Sequence, residues 1–222
     1  MKKPLILIFV ILIVDQILKI WIKLSMCLGQ EIDLIGSWCK IHFIENEGMA
    51  FGMAFGGDWG KLLLTLFRII ASVLIFIYLK RIIDKKESKL TIYSMALIFA
   101  GAVGNIIDSL FYGVIFSDSS FFHSATIFKG GYGSFLHGKV VDMFYFPIID
   151  STFPNWLPFV GGEPFHFFNA IFNFADVSIS IGVCLLIISL VFFPKKQNEM
   201  KNNKEEITPK EEKEQIVNNI TQ

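Results

Sequence analysis

The chain has 222 residues, 53% hydrophobic and 18% charged, with 24 Phe and a mean hydropathy of +0.56. An ordinary globular chain carries about 25% charged residues, and 12 of the charged residues here crowd into positions 195–222. Net charge is zero, and the three cysteines, Cys27, Cys39 and Cys184, contain no CxxC pair. This excludes a disordered chain, a disulfide scaffold, a cysteine metal site and a nucleic-acid binder driven by a basic surface. An integral membrane protein remains.

A spanning helix needs about 20 mostly apolar residues. In chain order, four segments meet this: 5–22, 62–79, 91–111 and 171–193. The first follows Met1-Lys2-Lys3 and has a short apolar start, as a signal peptide would. Met26 before Cys27, and Asp15 and Lys19 inside the segment, count against cleavage. We therefore read it as a retained span. Thirteen of the 20 basic residues lie before span one, between spans two and three, or after span four. The positive-inside rule then puts both termini in the cytoplasm. The loops 23–60 and 112–170 face outward. Residues 31–56 suit short strands and turns, and 116–137 and 144–168 suit aromatic-rich surface loops. Residues 197–222 read as a disordered, solvated tail. Residues 1–196 read as one four-span domain.

Charges at bilayer depth need a partner or a function. Asp15 and Lys19 lie four apart on one helix face. They suit either a packing ion pair or a functional site. Gly101, Asn105, Asp108 and Tyr112 form a stripe on span three, and Gly104 allows a second backbone close by. On span four, Asn173, Asp176 and Ser180 share a face, with Asp176 roughly 8 Å below the outer end. Asp142 sits in the short apolar run Val140–Phe144 beside the membrane. Two carboxylates in apolar surroundings cannot both ionise easily, so one keeps a proton while the other stays charged. Such a pair can activate water and protonate a leaving amine. An ion or proton path would use the same residue types. A transporter should show more spans or an inverted repeat, and neither is present. A scaffold would use the stripes as helix glue. No Ser–Lys or Ser–His pairing stands out at matching depth.

Four blocks carry a family resemblance. They are Asp15-Gln16-Ile17-Leu18-Lys19, Asn46-Glu47-Gly48-Met49-Ala50-Phe51-Gly52, Gly101–Asp108, and Val140-Val141-Asp142 with Phe172-Asn173-Phe174-Ala175-Asp176. In order and spacing the chain resembles lipoprotein signal peptidase (signal peptidase II), a bacterial membrane aspartic protease. The resemblance covers residues 4–193. It implies an all-α membrane fold of four transmembrane helices, with a small extracytoplasmic β-platform from the first outer loop and a lid loop or helix from the second. It implies that Asp142 and Asp176 are catalytic. It further implies that Asp15, Lys19, Asn46, Gly48, Gly104, Asn105, Asp108 and Asn173 bind substrate or support the site. The implied substrate is a diacylglyceryl-modified prolipoprotein, cut just before its lipidated cysteine in the bacterial inner membrane, near the outer leaflet. Globomycin-type inhibitors, membrane lipid contacts and a sufficient monomer are also implied. No metal or organic cofactor is.

The chain departs from the family at Ser109, where an Arg usually follows the third-span Asp. Insertions also lengthen the second outer loop around 116–137 and 146–168. Arg68 on span two comes within about one helical turn in depth of Asp108. It either replaces the missing Arg, pairing with Asp108 or steadying the catalytic region, or reaches toward the headgroups. Cys27 and Cys39, both outside, either pair or remain thiols. The tail carries no apolar face. Deleting residues 197–222 should leave the turnover of purified protein nearly unchanged, and a large loss per folded molecule would contradict this.

Overall fold

The computed structural model describes residues 2–47, 57–167 and 169–193. The expected tail and the candidate Gly48 lie outside them. Helices α1 (Lys2–Ser25), α2 (Gly57–Asp84), α3 (Lys89–Ile107) and α5 (Phe174–Phe192) correspond to the four expected spans; α4 (Gly113–Ile115) is one short turn. Each long helix is apolar enough to cross a bilayer. Residues 1–186 form one compact unit. A second begins at Ile187, and its described part is the end of α5.

The lateral face of α1 is apolar and exposed at Ile6, Phe9, Ile13 and Ile17, whereas its buried residues include Asp15, Lys19 and Lys23. That is the inverse of a water-soluble helix. It fits a bundle whose outside meets lipid and whose inside holds the ionisable groups. Helix α3 packs against α1, α2 and α5. A Cβ on Gly101 would stand 2.2 Å from the Ala175 carbonyl oxygen, and one on Gly104 would stand 2.7 Å from Asp15 Oδ2. These two glycines let α3 approach α5 and α1 so closely. Ser178 Oγ adds a hydrogen bond to the Leu97 carbonyl at 2.9 Å.

At its end α3 widens into a π-helical turn, Asp108–Tyr112, before α4. A loop backbone occupies the carbonyls there. Gly138 N–H donates to Ser109 O at 2.9 Å, Leu136 N–H to Leu110 O at 3.3 Å, and Gly133 N–H to Gly113 O at 2.9 Å. Isolated π turns of this kind cluster at functional sites.

The outer segments form an antiparallel sheet ordered β1-β2-β3-β6, from β1 (Glu31–Ile35), β2 (Cys39–Asn46), β3 (Val140–Tyr145) and β6 (Ile171–Phe172). The sheet therefore draws two strands from the segment between α1 and α2 and two from the segment between α4 and α5, where the resemblance implied a platform from the first of these. The physical reason is burial on β2. Cys39, Ile41 and Phe43 alternate inward, and β3 pairs beside them with Val140–Met143 buried. Ile22, Met26, Phe43, Tyr112, Phe116, Val141 and Met143 make the core beneath. The insertion at 146–168 contains the β4 (Ile149–Thr152)–β5 (Pro164–Phe167) hairpin.

The helix boundaries differ from the expected spans, and at α1 and α5 the reason is specific. Helix α1 begins at Lys2 and ends at Ser25, outlasting the apolar run, because Lys19 and Lys23 find buried partners. Helix α5 begins at Phe174 rather than 171, because Ile171 and Phe172 pair with Tyr145 and Phe144. Gly101→Ala should lower the thermal midpoint in detergent, since forcing a methyl into a filled contact costs about 1–3 kcal/mol. An unchanged midpoint would contradict the close α3–α5 approach.

Candidate active site

The start of α5 organises the site. Asn173 is its N-cap, and the backbone N–H of Asp176 donates to Asn173 Oδ1 at 3.0 Å. The N–H of Asn173 donates back to Asp176 Oδ2 at 3.2 Å. This reciprocal pair is a capping box built from Asn and Asp. The free amide edge of Asn173 points elsewhere: its Nδ2 donates to Asp142 Oδ1 at 2.7 Å. One buried side chain thus links both candidate carboxylates. Asp176 is the third residue of α5, shallower than the sequence depth suggested, because the helix starts late.

Asp142 comes from β3 and is 5% exposed. The β2–β3 register pairs Asp142 with Ile44 and Asn46 with Val140, which leaves Asn46 diagonal to Asp142, and Asn46 Nδ2 donates to Asp142 Oδ2 at 3.2 Å. Burial, then the charge of Asp176, pushes the Asp142 carboxyl up to about 7, against the opposing pull of its Asn173 and Asn46 hydrogen bonds. Asp142 therefore holds a proton into the neutral range while both carboxylates face the same amide-lined site.

Behind these two lies a buried ion cluster. The three N–H donors of Lys19 reach Asp15 Oδ2 at 3.1 Å, Asp108 Oδ2 at 2.9 Å and Asn105 Oδ1 at 2.9 Å. Asn105 Nδ2 then donates to Asp176 Oδ1 at 2.8 Å. Asp15 Oδ1 accepts the Ala175 backbone N–H at 2.9 Å, and Asp108 Oδ2 accepts that of Val141 at 3.3 Å. Gln16 Nε2 donates to Asp108 Oδ1 at 3.0 Å, and Tyr112 Oη donates to Gln16 Oε1 at 3.1 Å. Gly104 stands against Asp15, as its close approach requires. Every described candidate residue is thus brought together.

Three features escaped the sequence reading. Gln16 was seen only as part of a motif. Lys23, counted there among outer-loop charges, is fully buried in an ion pair with Glu45, while Ser119 Oγ donates to the same oxygen at 2.7 Å. Its ammonium also lies 4.8 Å from the Tyr132 ring centroid. The signal was the spacing Asp15, Lys19, Lys23, which keeps all three on one face. The third is the position of Arg68. Asp108 is paired by Lys19, so the expected Arg68–Asp108 pair does not form; Arg68 Nη1 donates instead to Ser109 Oγ at 3.4 Å. Lys19 wins because Gly104 and Asp108 lie on the face of α3 that meets α1, whereas α2 meets the face of Phe99, Val103 and Leu110. Cys27 and Cys39 are both free thiols. No cluster of potential metal ligands occurs among the described residues.

Next to this site a cavity of about 430 Å³ runs between α2 and α3, lined by Ile69, Val73, Phe76, Phe99, Val103 and Leu110 among others.

Comparison with known proteins identifies the architecture. The family model described as signal peptidase (SPase) II matches residues 7–192. The chain belongs to the signal peptidase II family. It is therefore a peptidase, of the aspartic type that characterises the family, and a multi-pass membrane protein. The lipoprotein signal peptidase of Porphyromonas gingivalis is 52% identical over 187 residues, 82% of this chain and 80% of its own. That of Amoebophilus asiaticus is 36% identical over 179 residues, 79% and 72% of the two chains. A solved bacterial membrane enzyme has a TM-score of 0.60 at 24% identity, covering 90% of this chain and 93% of its own, a likeness of fold.

The raised Asp142 carboxyl makes a stability prediction for this peptidase. The folded state binds a proton at Asp142 up to about pH 7, whereas the unfolded chain releases it near 3.8. Wild-type stability then falls as pH rises between those values and levels off above. Asn does not titrate. The thermal midpoint of Asp142→Asn relative to wild type should therefore climb from pH 5 to pH 8. A pH-independent difference would contradict the shift.

Proposed function

We propose that this peptidase removes the signal peptide from diacylglyceryl-modified prolipoproteins, cutting just before the lipidated cysteine. Asp142 and Asp176 are its catalytic pair. The observation that carries this reading is the Asn173 side chain, which caps α5 over Asp176 and bonds Asp142 in the same stroke. The names of the similar curated proteins support the substrate class.

In the proposed reaction, Asp176 takes a proton from a water as its oxygen attacks the scissile carbonyl carbon. Asp142, neutral below about pH 7, donates its proton to the carbonyl oxygen as the tetrahedral diol forms. Asp176 then protonates the cysteine nitrogen, the C–N bond breaks, and the collapsing diol returns a proton to Asp142. Asn46, Asn105 and Asn173 hold the two carboxylates in position. Asp15, Lys19 and Asp108 hold the elements that carry them. Gly48 is assigned with them on the family motif alone. The apolar cavity between α2 and α3 suits a hydrocarbon segment of a lipidated, signal-bearing substrate.

In this reading both termini lie in the cytoplasm and the site opens near the outer leaflet, as the basic-residue asymmetry requires. A monomer suffices, and globomycin-type inhibitors compete for the same site. Residues 1–196 form the working domain and 197–222 a cytoplasmic tail.

The test is cleavage of a lipidated prolipoprotein by detergent-purified protein without an ion gradient. Asp142→Asn and Asp176→Asn should each reduce the rate by at least about 10²–10⁴-fold, the range for losing a general acid or base. Both should remain folded and able to bind substrate. Near-wild-type turnover by either variant would overturn the pair.

A further inference from the structure

Arg68 is a half-buried cation whose place in the fold is not explained by packing alone. It lies on α2, one residue before Ile69, where the lining of the apolar cavity begins. A guanidinium has five N–H donors in a planar fork. Among the described residues, the hydrogen bond it makes is the 3.4 Å contact to Ser109 Oγ, which is long for a structural pin. That contact sets the guanidinium beside the site: Ser109 Oγ donates to the carbonyl of Asn105, whose amide bonds Asp176, and the neighbouring Asp108 accepts the Val141 N–H one residue before Asp142. Asp108 is already held by Lys19 and Gln16. The charges of Asp176 and Asp142 also act on the guanidinium.

We propose that Arg68 contacts the substrate, its guanidinium donating to the scissile carbonyl oxygen as negative charge develops there. This rests on the peptidase reading above. The chemistry matches: a planar cationic fork in an apolar site stabilises the negative charge that builds on that oxygen before the Asp142 proton reaches it, without reorganising. The same charge favours a pair that carries one proton rather than two. The charged groups that act on it are Asp142 from β3, Asp176 from α5 and Asp108 at the end of α3; Lys19 of α1 pairs with Asp108, and Asp15 pairs with Lys19.

The experiment uses the full chain in detergent micelles and a synthetic prolipoprotein-derived peptide bearing a diacylglyceryl-cysteine. Values of kcat and KM are measured from pH 5 to 9 for wild type, Arg68→Gln, Arg68→Lys and Ser109→Ala. Arg68→Gln should lose about 10²-fold in kcat, as when one oxyanion donor is removed. Its alkaline limb in kcat/KM should move to higher pH, because a positive charge beside Asp142 is gone. Arg68→Lys keeps the charge but not the fork, so it should lose less and leave the limb in place. Ser109→Ala should keep the wild-type limb. Wild-type kinetics for Arg68→Gln, or a Ser109→Ala variant that copies its rate and limb, would overturn the proposal in favour of a helix pin. If Arg68→Gln does not fold, Arg68→Lys decides: a reduced kcat with an unmoved limb supports the contact, and wild-type kinetics or failure to fold overturns it. A wild type that leaves the lipidated peptide uncut would overturn the peptidase reading itself, and this proposal with it.

Discussion

The structure depends on a lysine ammonium buried where water cannot reach it. Lys19 has no exposed surface, and each of its three donors meets an acceptor, from Asp15 on its own helix and from Asn105 and Asp108 on α3. A charge in hydrocarbon is tolerated only when met in this way, so α1 and α3 must lie together at that level. Backbone N–H groups serve the remaining carboxylate acceptors, that of Ala175 donating to Asp15 and that of Val141 to Asp108. Ala175 and Val141 each immediately precede a candidate catalytic aspartate. The buried cluster therefore holds Asp142 and Asp176 through the backbone, one residue away from each.

Around that cluster the outer surface repeats the same logic. Lys23, one turn further along α1, is buried against Glu45 on β2 and Ser119 in the second outer loop. Glu45 adjoins Asn46, whose amide bonds Asp142. Helix α1 thus grips the sheet as well as the bundle. The π turn at Asp108–Tyr112 contributes from the third side. By widening the helix it leaves carbonyls that the 133–138 backbone fills, and that loop leads directly into β3. The insertion at 116–137, an oddity of length in the sequence, supplies Ser119 and Tyr132 to the Lys23 site.

The asymmetry between the two aspartates follows from where each stands. Asp176 occupies the first turn of a helix and accepts two N–H donors, one from the cap backbone and one from Asn105. Asp142 stands on a strand, buried, with the Asp176 charge nearby and its carboxyl pushed up to about 7. Environment rather than residue type separates the two carboxylates.

The sequence by itself determined the four spans, the membrane setting and the identity of the polar residues. Hydrocarbon thickness sets span length, and a charge inside a span is too costly to be accidental. The motif order carried the family. Local pattern could not determine which polar group meets which. Asp108 chose Lys19 over Arg68 because its face of α3 is the one that meets α1, not the one that meets α2. The start of α5 moved to Phe174 because β6 pairs with β3, a contact between residues about 27 apart in the chain. The sheet drew on both outer loops because β2 has one buried face and β3 is the strand that covers its edge. Each of these outcomes is a choice among partners distant in sequence. Helical and strand periodicities report only which face a residue lies on, so only the packed tertiary structure decides what that face touches.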